Sequence, residues 1–252
     1  SQLLTTLLPT EMIKKFPEDK AKLREALKYF ERGVKLRPSA SVWNNIGTTH
    51  HKLGDFESAI KAYQETIRKY PQHEGASLGI ADSYIRLTKY QEALTHLVKL
   101  QKDSFFTQNP KLYLQTGVAL GNLGRVQEAA QYFEKGLELF KNKENKAELL
   151  DIYQNTANAY YFAKNYERAI FYLTKVVAMN PQNSTFHNYL GVSYLNLTKY
   201  ELAIKSFKNT LKFNKNLVDV YKNIAFCYQE LGNTVQKEKY FKIYQNLVKQ
   251  SN

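Results

Sequence analysis

A single cysteine, Cys227, in 252 residues means that no intramolecular disulfide can form. Neither it nor the five histidines take the spacing of a zinc site, so no metal or cofactor is expected. No apolar run approaches the roughly 20 residues of a membrane-spanning helix. The apolar start, SQLLTTLL, lacks the basic flank of a signal peptide. These absences point to a cytoplasmic, reducing compartment, although a chain beginning at Ser1 fits an excised piece of a longer protein. Catalytic strings are missing too. No G-x-x-x-x-G-K-S/T, G-x-G-x-x-G, G-x-S-x-G or H-E-x-x-H occurs, and no histidine has a carboxylate or cysteine at motif spacing, so no active site is expected. Asn183 and Asn196 sit in N-x-T strings, which matter only in a secreted protein. What the chain does have is 43% hydrophobic and 13% aromatic residues, enough to fold as one large or two ordinary domains.

It also has a period. The segments LGDFESAI, LTKYQEAL, LGRVQEAA, AKNYERAI and LTKYELAI align on Ala59, Ala93, Ala129, Ala169 and Ala203, at spacings of 34, 36, 40 and 34. A step of 34 onward reaches Lys237, and a step of 33 back reaches Ala26. Twelve residues before each anchor stands a small residue: Gly47, Ala81, Gly117, Ala157, Gly191 or Ala225. Three further on come His50, Tyr84, Leu120, Tyr160, Tyr194 and Tyr228, and four after the anchor come Tyr63, Leu97, Phe133, Leu173, Phe207 and Phe241. Spacings of three and four place each set on one helix face, so every unit reads as two amphipathic helices. Gly54, Gly124 and Gly232 mark turns, and Pro38, Pro71 and Pro181 end second helices. Small residues allow helices to cross closely, and bulky ones fill the space beside the crossing. One hairpin cannot bury its apolar face alone, so neighbours must stack into a curved solenoid.

This pattern resembles the tetratricopeptide repeat, W-x2-L-G-x2-Y, A-x3-F, P, which the first full unit carries as Trp43, Ile46, Gly47, His50, Ala59, Tyr63 and Pro71. The resemblance covers roughly residues 19 to 249. It implies an all-α, right-handed α-solenoid of helix-turn-helix hairpins that binds a peptide or helix of a protein partner in its concave groove. The frame gives a capping helix and divergent half repeat over 1–39. Units follow at 40–73, 74–109, 110–149, 150–183, 184–217 and 218–252, all in one solenoid domain. Two extra residues fall near Asp103 to Asn109, and six near Asn142 to Leu149, where a helix lengthened through NKAELL is expected. Phe105 and Phe106 are expected to fold back onto a neighbouring hairpin, and Lys237 in an alanine slot reads as a terminal cap.

If the family geometry holds, slots beside the small residue of each first helix face the groove. Asn45, Gln115, Asn155 and Asn223 share one slot with Gly79 and Tyr189, and Asn44, Gln154, Asn158 and Asn188 extend the row of carboxamides. A carboxamide is donor and acceptor at once, so such a row can grip a peptide backbone. Asparagines that simply tolerate solvent are the equally open alternative. Leu78, Leu114, Val118, Val192 and Phe226 interleave with them, Lys222 stands beside Asn223, and such apolar slots suit apolar partner side chains.

Some relatives clamp the acidic C-terminal tails of chaperones with two basic residues and asparagines. The matching slots here hold Asn44 and Thr48, Gly79, and Lys111 and Gln115, and Asp219 would repel a carboxylate, so that partner is not expected. The formal net charge of +13 concentrates at the ends, roughly +4 before Ala40 and +4 over Ser184 to Leu217. Lys205, Lys208 and Lys212 form a stripe on a second helix that Lys239 and Lys242 continue, expected on the convex face. The stripe reads as solvated surface, with an acidic tail or nucleic acid as its alternative ligand. Base-reading by 35-residue helical repeats is disfavoured by the tryptophan, tyrosine and proline columns. A regulatory segment of a larger enzyme is a further alternative.

Overall fold

The structure, a computed structural model, describes residues 8–140 and 145–251; the first seven residues of the expected N-terminal cap and part of the second insertion, residues 141–144, lie outside them. Among the described residues there are fourteen helices and no strand. By contact they group into two compact units, one of residues up to 125 with 135–139, the other of 126–134 with those from 140 onward. The first holds α1 (Pro9–Lys15), α2 (Lys20–Leu36), α3 (Ala40–Leu53), α4 (Phe56–Lys69), α5 (Glu74–Arg86), α6 (Tyr90–Leu100) and α7 (Pro110–Asn122), with the last turn of α8 (Val126–Leu139). The second holds the start of α8, then α9 (Lys146–Phe162), α10 (Tyr166–Met179), α11 (Ser184–Asn196), α12 (Tyr200–Phe213), α13 (Val218–Glu230) and α14 (Thr234–Ser251). Consecutive helices pack against one another from α1 to α7 and from α9 to α14, and α3 also touches α5, as α5 touches α7. The fold is the all-helical solenoid of tetratricopeptide hairpins, in which odd-numbered helices are first and even-numbered second.

Short side chains start these helices and one backbone conformation closes the hairpins. Ser39, Asp55, Asn109, Asn145, Asn165 and Asn183 each accept a backbone N–H of the following first turn. At the hairpin turns, N–H groups of Asp55, Lys89, Arg125, Asn165, Lys199 and Asn233 donate to the carbonyls of His50, Tyr84, Leu120, Tyr160, Tyr194 and Tyr228 at 2.9–3.0 Å. That closure requires positive φ at the residue between, here Gly54, Thr88, Gly124, Lys164, Thr198 and Gly232. Glycine supplies it without strain; Thr88 at 57° and Thr198 at 56° are β-branched and strained. Thr88→Gly and Thr198→Gly are each expected to stabilise the protein by about 1 kcal/mol in urea titration, strain relief exceeding the added freedom of the unfolded chain. A loss of stability would contradict the strain assignment.

The small and bulky columns interlock. A Cβ on Gly47 or on Gly79 would approach the Tyr63 ring to 2.6 Å, so one ring fills the space that both glycines leave. Gly191 stands in the same relation to Phe207, again at 2.6 Å. The anchor alanines Ala59, Ala93, Ala129, Ala169 and Ala203 are fully buried. Lys237, in the same slot, is half-buried with its Nζ 5.8 Å from the Phe241 ring centroid. The first insertion forms turns after a short α6; Phe106 is buried there and Phe105 stays exposed, edge-on to it. The second lengthens α9 to 17 residues, against 13 in α11, with Asn145 as its cap. No helix of the described residues is long and apolar enough to cross a membrane.

Candidate binding surfaces

In the first unit the expected groove residues divide between packing and exposure. Leu78 is buried, and its carbonyl accepts from Gln115 Nε2 at 3.3 Å, tying α5 to α7. Leu114 lies against α8, its Cδ2 2.5 Å from where a Gly136 Cβ would stand. These two leucines pack helices together and leave little surface to a partner. Asn45 is half-buried on α3, its carbonyl accepting from Thr49 at 2.7 Å. Asn44 Oδ1 and Gln115 Oε1 are buried and accept no hydrogen bond from any described residue. His51 Nε2 lies 2.6 Å from Asp82 Oδ2, so this face carries an ion pair between α3 and α5 if the imidazole is protonated.

The second unit gathers more. Tyr161 of α9 stacks on Tyr189 of α11, ring centroids 4.2 Å apart, and Phe162 meets the same ring edge-on at 5.9 Å. Phe186 and Tyr166 close the group. Burial beside Tyr189 and Tyr166 pushes the Tyr161 phenol above its ordinary pKa. One turn before Tyr161 stands Asn158, and beside Tyr189 stands Asn188; the Oδ1 of each is buried without a hydrogen-bond donor among the described residues. A buried acceptor left unpaired costs about 1–3 kcal/mol, and a ligand N–H can recover it. Phe162, one turn after Asn158, is 57% exposed, so apolar surface flanks that acceptor, and Phe226 on α13 is 46% exposed. Gln154 and Asn223 are half-buried on the same helices as Asn158 and Phe226, and Asn155 is exposed. Lys222 is exposed with its Nζ 6.0 Å from the Tyr244 ring centroid. Tyr161 and Phe162 are not among the residues expected from the sequence, yet it carries a signal: Phe162 is the one apolar residue in a column otherwise holding Lys52, Arg86, Asn122, Asn196 and Glu230.

The lysine stripe is exposed along its length at Lys205, Lys208, Lys212, Lys239 and Lys242. Two of its members are engaged: Lys208 Nζ donates to the Tyr228 hydroxyl at 3.0 Å, and Lys212 Nζ lies 5.4 Å from the Phe213 ring centroid. That hydrogen bond raises the Lys208 pKa.

A partly buried ionic group on the second-helix side matches no motif in the sequence. Glu134 of α8 accepts from the hydroxyls of Tyr160 at 2.6 Å and Tyr172 at 2.7 Å, and Arg168 donates to the same carboxylate. The two tyrosine rings stack at 5.9 Å. Burial and the hydrogen bond to Glu134 push the Tyr160 phenol up to about 12. Raised above its ordinary value of 10.0, this phenol stabilises the fold fully below pH 10, and the contribution is lost as pH rises toward 12. The urea midpoint is therefore expected to fall over that window, and to fall less steeply in Tyr160→Phe; identical slopes would remove Tyr160 from the account. Cys227 is a buried thiol whose pKa burial pushes up to about 11, which makes it a poor nucleophile. Among the described residues no group of histidine, cysteine and carboxylate side chains could hold a metal ion.

Comparison with known proteins follows the same pattern. A family model for subunit 3 of the anaphase-promoting complex, or cyclosome, matches residues 19–100, and tetratricopeptide-repeat models match residues 110–182 and 155–213. The chain is 23% identical over 214 residues to a TPR repeat-containing protein of Methanocaldococcus jannaschii, covering 83% of this chain and 31% of that protein. It is 25% identical over 197 residues to the anaphase-promoting complex subunit CDC16 of Saccharomyces cerevisiae, covering 77% of this chain and 23% of the subunit. The chain thus spans under a third of the length of these curated relatives. Among solved structures, YrrB, described as a TPR protein with an unusual peptide-binding site, superposes with a TM-score of 0.64 at 16% identity, over 75% of this chain and 93% of that one. At such identity the likeness is one of fold.

Proposed function

Because the chain belongs to the tetratricopeptide-repeat family, we propose that it is a non-catalytic scaffold holding an extended or helical segment of a partner protein on the first-helix face of its hairpins. The observation that carries this reading is the conjunction on α9 and α11. A stacked tyrosine pair, an exposed Phe162 and two buried acceptors without donors are all carried by these two helices. Aromatic rings supply contact area at low entropic cost, and the Asn158 and Asn188 oxygens call for the backbone N–H groups of a segment laid across them. The match to anaphase-promoting-complex subunits supports work inside a larger assembly. The peptide-binding site named for YrrB supports a peptide as the kind of ligand.

Acidic tails and nucleic acid fit less well, since Lys208 and Lys212 already rest on the chain's own rings. The test is a comparative capture from native lysate followed by mass spectrometry. Proteins retained by the wild-type chain should be lost by the Asn158→Ala/Asn188→Ala variant and kept by a variant with Lys205, Lys239 and Lys242 changed to glutamine. The reverse outcome would move the binding surface to the lysine stripe.

A further inference from the structure

The second-helix side carries one arrangement twice, filled in the second unit and open in the first. In the second unit the Arg168 guanidinium sits against Glu134 and 5.7–5.8 Å from the ring centroids of Tyr160, Phe171 and Tyr172. In the repeat frame, the slots of Glu134, Tyr160, Arg168 and Tyr172 are taken in the first unit by Glu31, His50, Ser58 and Ala62. All four line an open cleft of about 650 Å³ between α2 and α4, together with Trp43 and Glu65. Serine and alanine there leave out the guanidinium and the ring that occupy the second unit's slot, and the cleft is the space they vacate.

The charges in that cleft are unevenly matched. Glu31 is exposed and has no hydrogen bond or ion pair with any described residue. Glu65 is held by Arg68 at 3.0 and 2.6 Å, and His50 Nδ1 lies 3.2 Å from Asp55 Oδ2. Lys35 and Lys61 also line the cleft and oppose a cation, but both are exposed and can turn their ammonium groups to solvent. Glu31 is thus a carboxylate in the place of Glu134 without the cation that Glu134 holds.

We propose that this cleft receives an arginine side chain of a partner protein, with Glu31 as its carboxylate and Trp43 as the ring it lies against. The template is the chain's own Arg168. A guanidinium fits better than an ammonium because it is planar, stacks on aromatic faces and is weakly hydrated, which eases its entry beside an indole. The occupant is a second contact, separate from the segment on the first-helix face, so failure here leaves the scaffold reading standing.

Trp43 is the single tryptophan of the chain, so intrinsic tryptophan emission reports on this cleft alone. The probe is a blocked glycine-flanked arginine peptide, titrated beside its citrulline counterpart, which keeps the shape and loses the charge. The arginine peptide should change Trp43 emission saturably, the citrulline peptide should bind at least about tenfold more weakly, and Glu31→Gln should weaken the arginine peptide by about tenfold at an unchanged melting temperature. The Ser58→Arg/Ala62→Tyr variant, which installs the residues of the second unit, should abolish the response. Equal responses to arginine and citrulline, no saturable response, or an undiminished response in Glu31→Gln would each overturn the proposal. These comparisons hold even if the filled variant does not fold.

Discussion

Phe207→Ala is expected to destabilise the protein by about 3–5 kcal/mol, the range for removing a buried aromatic ring and leaving its cavity. The ring is fully buried and packs in a cluster with Ala203, Ile204, Val220, Ile224 and Cys227. It also lies on Gly191, where an added Cβ would stand 2.6 Å away. Gly191→Ala alone should therefore cost about 1–3 kcal/mol by overpacking, although alanine is the better helix former. Because the methyl enters space that the ring holds, Gly191→Ala combined with Phe207→Leu should cost less than the sum of the two singles. Urea titration of the variants beside the wild type measures this coupling. An effect of Phe207→Ala below about 1 kcal/mol, or strict additivity, would place the glycine column elsewhere than at a helix crossing.

That column is legible in the sequence alone, and the reason is physical. A period of 34 residues with small and bulky side chains in fixed columns is imposed by close helix crossings, which depend on volume and spacing alone. The helical class and the lengthening of α9 through NKAELL follow from the same frame. Turn conformation is half legible. Gly54, Gly124 and Gly232 announce positive φ, whereas Thr88, Lys164 and Thr198 adopt it only because the closing hydrogen bond demands it. The binding surface is the least legible part, since slot geometry does not say which way a neighbouring helix leans. Leu78 and Leu114 occupy groove slots in the repeat frame and are used in packing, one buried and the other on Gly136. Glu134 meets Tyr160, Arg168 and Tyr172 from 26 to 38 residues away, a pairing set by side-chain reach across helices that no local pattern records. The asparagines stand out in the sequence, but only the structure separates Asn158 and Asn188, whose oxygens lack donors, from the exposed Asn155.

Those two oxygens are tested directly by the affinity of a captured partner segment for wild-type and Asn158→Ala/Asn188→Ala protein, measured by calorimetry with thermal melting of both. Each lost backbone contact is expected to cost about 0.5–1.5 kcal/mol, so the double variant should bind roughly 5- to 150-fold more weakly. Its melting temperature should stay level or rise, because alanine removes two buried acceptors that the unliganded fold leaves without donors. Weaker binding by a protein that melts no lower is the predicted result. Unchanged affinity, or weaker binding accompanied by a matching loss of stability, would contradict the assignment of these residues to the partner.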